Sequence, residues 1–77
     1  MNAPFVVECA HGFAERVKWE SYDDFRSRLD RAYALAYQRP PTGAEARAFR
    51  EATAELENPW PIICQALLSS SEFLYVD

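Results

Sequence analysis

Residues 58–68 read Asn58-Pro59-Trp60-Pro61-Ile62-Ile63-Cys64-Gln65-Ala66-Leu67-Leu68, and no charged residue occurs between Glu57 and Glu72. Apolar side chains recur at i, i+3, i+4, i+7 and i+8, which is one face of a helix: Trp60, Ile63, Cys64, Leu67 and Leu68. Ile62 and Ala66 widen that face, and a helix that is apolar on most sides needs neighbours around it. The sequence therefore predicts a central helix from Pro61 to Ser69.

Two amphipathic helices are predicted upstream of it. The first is capped by Asn2 and runs to about Trp19, with an apolar face made of Val6, Cys9, Ala10, Phe13 and Val17. The second follows a capping-box variant formed by Ser21 and Asp24. It ends near Gln38, because Pro40 and Pro41 prevent continuation. Its predicted face contains Phe25, Leu29, Ala32, Tyr33 and Ala36.

A third helix and a short terminal turn complete the predicted architecture. Thr42 and Glu45 form a capping box, and the helix is expected to run to about Glu57 on a thin face of Ala48, Phe49, Ala52 and Leu56. Ser69 and Glu72 predict a further cap, whose turn folds Phe73 and Leu74 back onto the core. We therefore expect residues 1–77 to form one small all-α domain of four helices in an antiparallel-like arrangement.

The charge distribution argues against a nucleic-acid module. The formal net charge is -4, and the eight basic residues are interleaved with acidic ones rather than gathered into a stripe that would contact phosphate. No apolar run approaches the roughly 18 residues that span a bilayer, and no signal-peptide pattern opens the chain. Neither nucleic-acid binding nor membrane insertion is expected.

Residues with reactive or metal-binding side chains are few. Cys9 and Cys64 both lie on predicted apolar faces, either as free thiols or joined by a disulfide that would close a long loop. The single His11 lacks further ligands nearby, and Cys64 lacks a neighbouring base. Phosphate-loop and serine-elbow motifs are missing. We therefore predict no enzyme activity, no catalytic or metal-binding residue and no cofactor.

Aromatic residues are more numerous than a narrow core needs, with five Phe, four Tyr and two Trp. Tryptophan and tyrosine are favoured where one end of the side chain is buried and the other is wet. The candidate interaction residues are Phe5, Trp19, Tyr22, Tyr37 and Tyr75. A docking surface for another chain is one interpretation, and a core that satisfies all of its aromatics internally is the other.

Four parts of the sequence carry a family resemblance: residues 2–6, residues 32–36, Arg39-Pro40-Pro41-Thr42 with Glu45, and above all residues 64–68 with 72–77. They resemble the C-terminal part of a domain of unknown function in large planctomycete proteins that carry a cytochrome-c-like module. The family usually has Gly at the position of Gln38 and Asn at those of Ser69 and Ser71. The resemblance implies an exported parent protein, an extracytoplasmic location, and a chain that is the C-terminal fragment of a longer polypeptide. It supplies no catalytic residue, and it raises the expectation of a disulfide.

The expected function is therefore structural. We predict a helical protein-interaction module that packs against the rest of its parent chain or another protein, with homodimer formation as a further option. The alternative is an accessory wall of an enzyme or electron-transfer site whose reactive groups lie upstream.

Overall fold

The computed structural model describes residues 4–70, with side chains from Glu8 onward. Four helices are present: α1 at Pro4–Trp19, α2 at Phe25–Tyr37, α3 at Gly43–Ala52 and α4 at Trp60–Ser69. No strand occurs between residues 4 and 70. The predicted all-α domain of four helices is confirmed. The predicted cap at Asn2 and the terminal turn through Phe73 and Leu74 lie outside the described residues.

The core is built where α4 packs against α1, the most extensive helix contact of the fold. In α4 the buried residues are Trp60, Ile63, Cys64 and Leu67, four of the seven positions that defined its predicted apolar face. In the part of α1 from Glu8 onward they are Ala10, Ala14 and Val17. Small alanine side chains let the two backbones approach closely, so that the larger side chains of α4 fill the space between them.

The second helix joins this core, and α3 packs chiefly against α2. Leu29, Ala32 and Tyr33 are buried on α2. The Tyr33 ring meets Phe49 of α3 edge-on, with 6.4 Å between ring centroids. Arg50 of α3 places its guanidinium 4.5 Å from the centroid of the Phe25 ring. The fold is therefore a three-helix core of α1, α2 and α4, with α3 attached at its edge.

The cap of α2 differs from the predicted one. Asp24 is the N-cap, and its carboxylate accepts a hydrogen bond from the Ser27 backbone N–H at 3.0 Å. Ser21 instead donates its hydroxyl proton to the Val17 carbonyl at 2.6 Å, closing the end of α1. The prediction of a Ser21 cap was wrong because free carbonyls at the end of α1 compete for the same hydroxyl.

The start of α3 is confirmed, and its end is not. Thr42 Oγ1 accepts from the Glu45 N–H at 3.1 Å, and Glu45 Oε1 accepts from the Thr42 N–H at 2.8 Å, which completes the capping box. The helix ends at Ala52 rather than Glu57. Thr53 is the C-cap, and its hydroxyl donates to the Phe49 carbonyl at 2.7 Å. A buried hydroxyl bonded to the preceding turn is compatible with a helix end.

The buried face of α3 is also different. Ala46 and Thr53 are buried beside the half-buried Phe49, whereas Ala48, Ala52 and Leu56 are exposed. A helix surface rich in alanine carries little information about its rotation. The ring contact between Phe49 and Tyr33 determines which side of α3 faces the core.

Two further faces are more open than the sequence suggested. Ile62 is 54% exposed, and Ala66 is exposed as well, so the described residues do not surround α4. Cys9 is exposed rather than part of the apolar face of α1. Hydrophobicity alone predicted these faces as buried, but the described neighbours cover one side of each helix, and single exposed apolar residues are normal.

Candidate functional site

Among the described residues, the most exposed aromatic side chains lie at the turn between α1 and α2. Trp19 is the last residue of α1, and Tyr22 follows it by three positions. Each is 82% exposed, far more than the other large hydrophobic side chains described as exposed, Leu56 at 42% and Ile62 at 54%. We call Trp19 and Tyr22 the aromatic ledge. Both were predicted as interaction residues from the sequence.

The backbone under the aromatic ledge is held by side-chain hydrogen bonds. The Ser21 hydroxyl donates to Val17 O at 2.6 Å, and Ser27 Oγ accepts from the Tyr22 N–H at 3.0 Å. These bonds tie the turn to the end of α1 and to the first turn of α2. The ledge is therefore presented by a turn that is fixed at both ends, which lowers the entropy lost on binding.

Glu20 bridges the two helices between Trp19 and Tyr22. Arg16 Nε donates to its Oε2 at 2.7 Å, and Arg31 of α2 donates to its Oε1 through both Nε and Nη2. The hydrogen bonds from Arg16 and then Arg31 lower the pKa of Glu20 below its ordinary value. This ion-pair network joins the end of α1 to α2, and it was not predicted because Glu20 and Arg31 are far apart along the chain.

A shallow groove of about 560 Å³ runs beside the ledge. Trp19 and Tyr22 line it together with Ser27, Asp30 and Arg31, and it is open to solvent. An open groove with two aromatic rings and ion-paired walls suits a protein segment better than a small molecule, which binds in more enclosed sites.

The remaining candidate interaction residues are placed differently. Tyr37 is half-buried, its hydroxyl donates to Leu67 O at 2.8 Å, and its ring lies edge-on to Tyr33 at 5.3 Å. Tyr37 therefore joins α2 to α4 and does not line the groove beside the aromatic ledge. The Phe5 side chain and Tyr75 lie outside the described part of the chain, so their predicted roles stay predictions.

The reactive groups are dispersed. Both cysteines are free thiols, Cys9 exposed and Cys64 buried, and burial raises the pKa of Cys64 to about 12. A thiol held in its neutral form is a poor nucleophile. His11 is exposed. Among the described residues, no three His, Cys, Asp or Glu side chains are placed to hold a metal ion.

A second concavity, of about 180 Å³, was not foreseen from the sequence. It lies where α1, α2 and the start of α4 meet, and His11, Lys18 and Arg28 are among its lining residues. In the sequence, Lys18 and Arg28 belong to the basic residues that are interleaved with acidic ones, and His11 lacks further metal ligands nearby. Their proximity depends on how the helices pack, and no local spacing reveals it.

Comparison with known proteins gives no relative: no protein family, curated protein or solved structure matches this chain. The resemblance to the planctomycete domain, its extracytoplasmic location and the accessory role beside an upstream site therefore stay predictions. No helix within residues 4–70 has the length and apolar character needed to cross a membrane.

Proposed function

We propose that this chain is a protein-interaction module that docks on another protein, or on another part of a longer polypeptide, through the aromatic ledge. The observation that carries the proposal is the 82% exposure of both Trp19 and Tyr22 beside one groove. Exposed aromatic side chains that neighbour one another are unusual on a surface that binds nothing.

The residue types at the ledge are those that dominate binding energy in protein interfaces. Tryptophan, tyrosine and arginine are enriched among the few side chains whose truncation costs more than about 2 kcal/mol of binding energy. Trp19, Tyr22 and Arg31 line the same groove. Because Glu20 already pairs with Arg31, a partner there meets a neutralised charge and an apolar surface. Binding should therefore depend only weakly on salt.

The size of the ledge favours a partner protein over a second copy of this chain. Two large aromatic side chains bury about 150–250 Å² each, whereas a stable interface buries about 800 Å² per partner. Contact between two ledges alone falls short of that area. A partner that wraps around the groove supplies the missing contact area. A partner that is tethered to the chain needs less contact area, because the tether holds it at a high effective concentration.

The test is a selection of peptides from a random display library on the folded chain, followed by calorimetric titration of the selected peptides. Trp19→Ala and Tyr22→Ala should each weaken binding by tenfold or more, since truncating an interface anchor removes about 1.4 kcal/mol or more. Both variants should lose less than about 0.5 kcal/mol of folding stability, because the side chains are exposed.

Ile62→Ala is the matched control, because Ile62 is an exposed apolar residue that does not line the groove. It should leave peptide binding unchanged. Selected peptides that lose affinity with Ile62→Ala but not with Trp19→Ala would overturn the proposal.

Light scattering provides a second check: a stable dimer that Trp19→Ala dissociates would assign the ledge to self-association instead. A stability loss above about 3 kcal/mol for Trp19→Ala would place Trp19 in the core.

A further inference from the structure

The second concavity, which we call the junction pocket, is assembled from three elements. On α1 its lining residues His11, Ala14, Glu15 and Lys18 follow the i, i+3, i+4, i+7 spacing of one helix face. Arg28 comes from α2, and the remaining wall is the segment that opens α4. The volume of about 180 Å³ equals that of about six water molecules, so the pocket has room for a small organic molecule only.

Two cationic side chains, Lys18 and Arg28, line the junction pocket. The Arg28 side chain is only 17% exposed, and its Nη2 donates to Asp23 Oδ1 at 2.6 Å. The Asp23 side chain is 94% exposed, so solvent screens that pair. Arg28 Nε is buried and has no hydrogen-bond partner among the described residues. Lys18, at the same pocket, forms no ion pair within the described part of the chain.

Apart from Glu15, the other walls of the pocket are apolar or neutral. Trp60, which is 7% exposed, lines it together with Ala14 and Pro61, and the amide of Asn58 adds a neutral polar group. An inorganic anion such as phosphate would leave these apolar walls uncovered. A ligand with a compact apolar body and one negatively charged end matches both halves of the lining.

We propose that the junction pocket binds a small organic carboxylate, with its carboxylate between Lys18 and Arg28 and its apolar body against Trp60. Glu15 also lines the pocket, and its negative charge opposes the ligand. Affinity is therefore modest in the native chain. This site shares no lining residue with the groove of the aromatic ledge, and it does not depend on the protein-interaction proposal.

The experiment uses benzoate as the probe and benzamide as its neutral counterpart of similar shape. Trp19→Phe provides the background, so that Trp60 is the single tryptophan and its fluorescence and indole N–H resonance report on the pocket. Benzoate should give saturable changes in the Trp60 signals and in the Asn58 side-chain amide resonance. Benzamide should bind at least tenfold more weakly, because it lacks the charge that Lys18 and Arg28 recognise.

Charge variants make the assignment specific. Lys18→Gln should weaken benzoate binding about two- to fivefold, which is the range for an exposed ion pair. Glu15→Gln should strengthen it by a similar factor, because it removes a repulsive charge of similar exposure. Arg26→Gln is the matched control: Arg26 is a cation of α2 that pairs with Asp30 at 2.8 Å and does not line the pocket. It should leave benzoate binding unchanged.

Glu15 and Lys18 are both exposed, so neither substitution should disturb the fold. Circular dichroism of the two variants checks this before titration. Equal binding of benzoate and benzamide would overturn the proposal, since the pocket would then be merely apolar. The proposal also fails if benzoate does not saturate, or if Glu15→Gln and Lys18→Gln change its affinity no more than Arg26→Gln does.

Discussion

Gln38 closes α2 in a conformation that suits glycine. Its φ is 60°, in the left-handed region, and its N–H reaches the carbonyls of Tyr33 and Ala34, both at 3.1 Å. A residue with a Cβ atom is strained there by about 1 kcal/mol relative to glycine. The chain therefore uses a typical helix-ending geometry with an unfavourable residue.

Gln38→Gly should stabilise the domain by about 0.5–1 kcal/mol, because glycine relieves the strain at this backbone position. Gln65→Gly, a substitution inside α4, should destabilise the domain by about 1 kcal/mol or more, because glycine is unfavourable in a helix interior. Urea unfolding of both variants measures the difference. If both substitutions change stability with the same sign, the geometry at Gln38 does not govern the effect.

The two thiols should differ strongly in reactivity. Burial raises the pKa of Cys64 to about 12, whereas Cys9 is exposed. In the native protein an aromatic disulfide reagent should modify one thiol quickly and the second only on unfolding. Cys9→Ser should abolish the fast phase. A fast phase that survives in Cys9→Ser would show that Cys64 is accessible.

At the scale of the elements, α3 depends most on its own cap, because it packs chiefly against one neighbour. Glu45 serves two purposes there. Its Oε1 accepts from the Thr42 N–H at 2.8 Å, and both carboxylate oxygens accept from Arg39, at 2.9 and 3.1 Å. The hydrogen bonds from Arg39 first, and then from the Thr42 backbone, lower the pKa of Glu45 to about 2.

This lowered pKa predicts a loss of stability in acid. Because the pKa of Glu45 is lower in the folded state than its ordinary value of 4.5, its contribution is complete above about pH 4.5 and is lost as the pH falls towards 2. Glu45→Gln should therefore flatten the pH dependence of the free energy of unfolding in that range. Glu51→Gln, at an exposed position of the same helix, should keep the wild-type slope. Equal slopes for Glu45→Gln and the wild type would contradict the prediction.

At the scale of the whole molecule, α4 has one covered side and one open side. The adjacent residues Ile62 and Ile63 are 54% and 0% exposed. Ile63→Ala should destabilise the domain by about 2–5 kcal/mol, because it removes buried methyl groups and leaves a cavity. Ile62→Ala should change stability by less than about 0.5 kcal/mol. Thermal and urea unfolding of the two variants test this; similar losses for both would mean that the open side of α4 is covered in solution.

The candidate site was only partly predictable. Trp19 and Tyr22 were predicted as interaction residues because tryptophan and tyrosine are favoured where one end of the side chain is buried and the other is wet. Tyr37 did not belong with them, since its hydroxyl reaches the Leu67 carbonyl across the core. The Glu20 bridge to Arg31 depends on contacts between residues distant in sequence, as does the junction pocket.

The sequence by itself determined the number of helices, most of their ends and the core residues of α4, because apolar periodicity, prolines and capping side chains act within a few residues. Only the tertiary structure decided which side of α3 is buried, that Ile62 stays exposed and that Lys18, Arg28 and Trp60 share one pocket. The physical reason is that rotation and neighbour choice are set by packing between helices. Local helix propensity and hydrophobicity do little to determine the rotation of a helix or the choice of its neighbours.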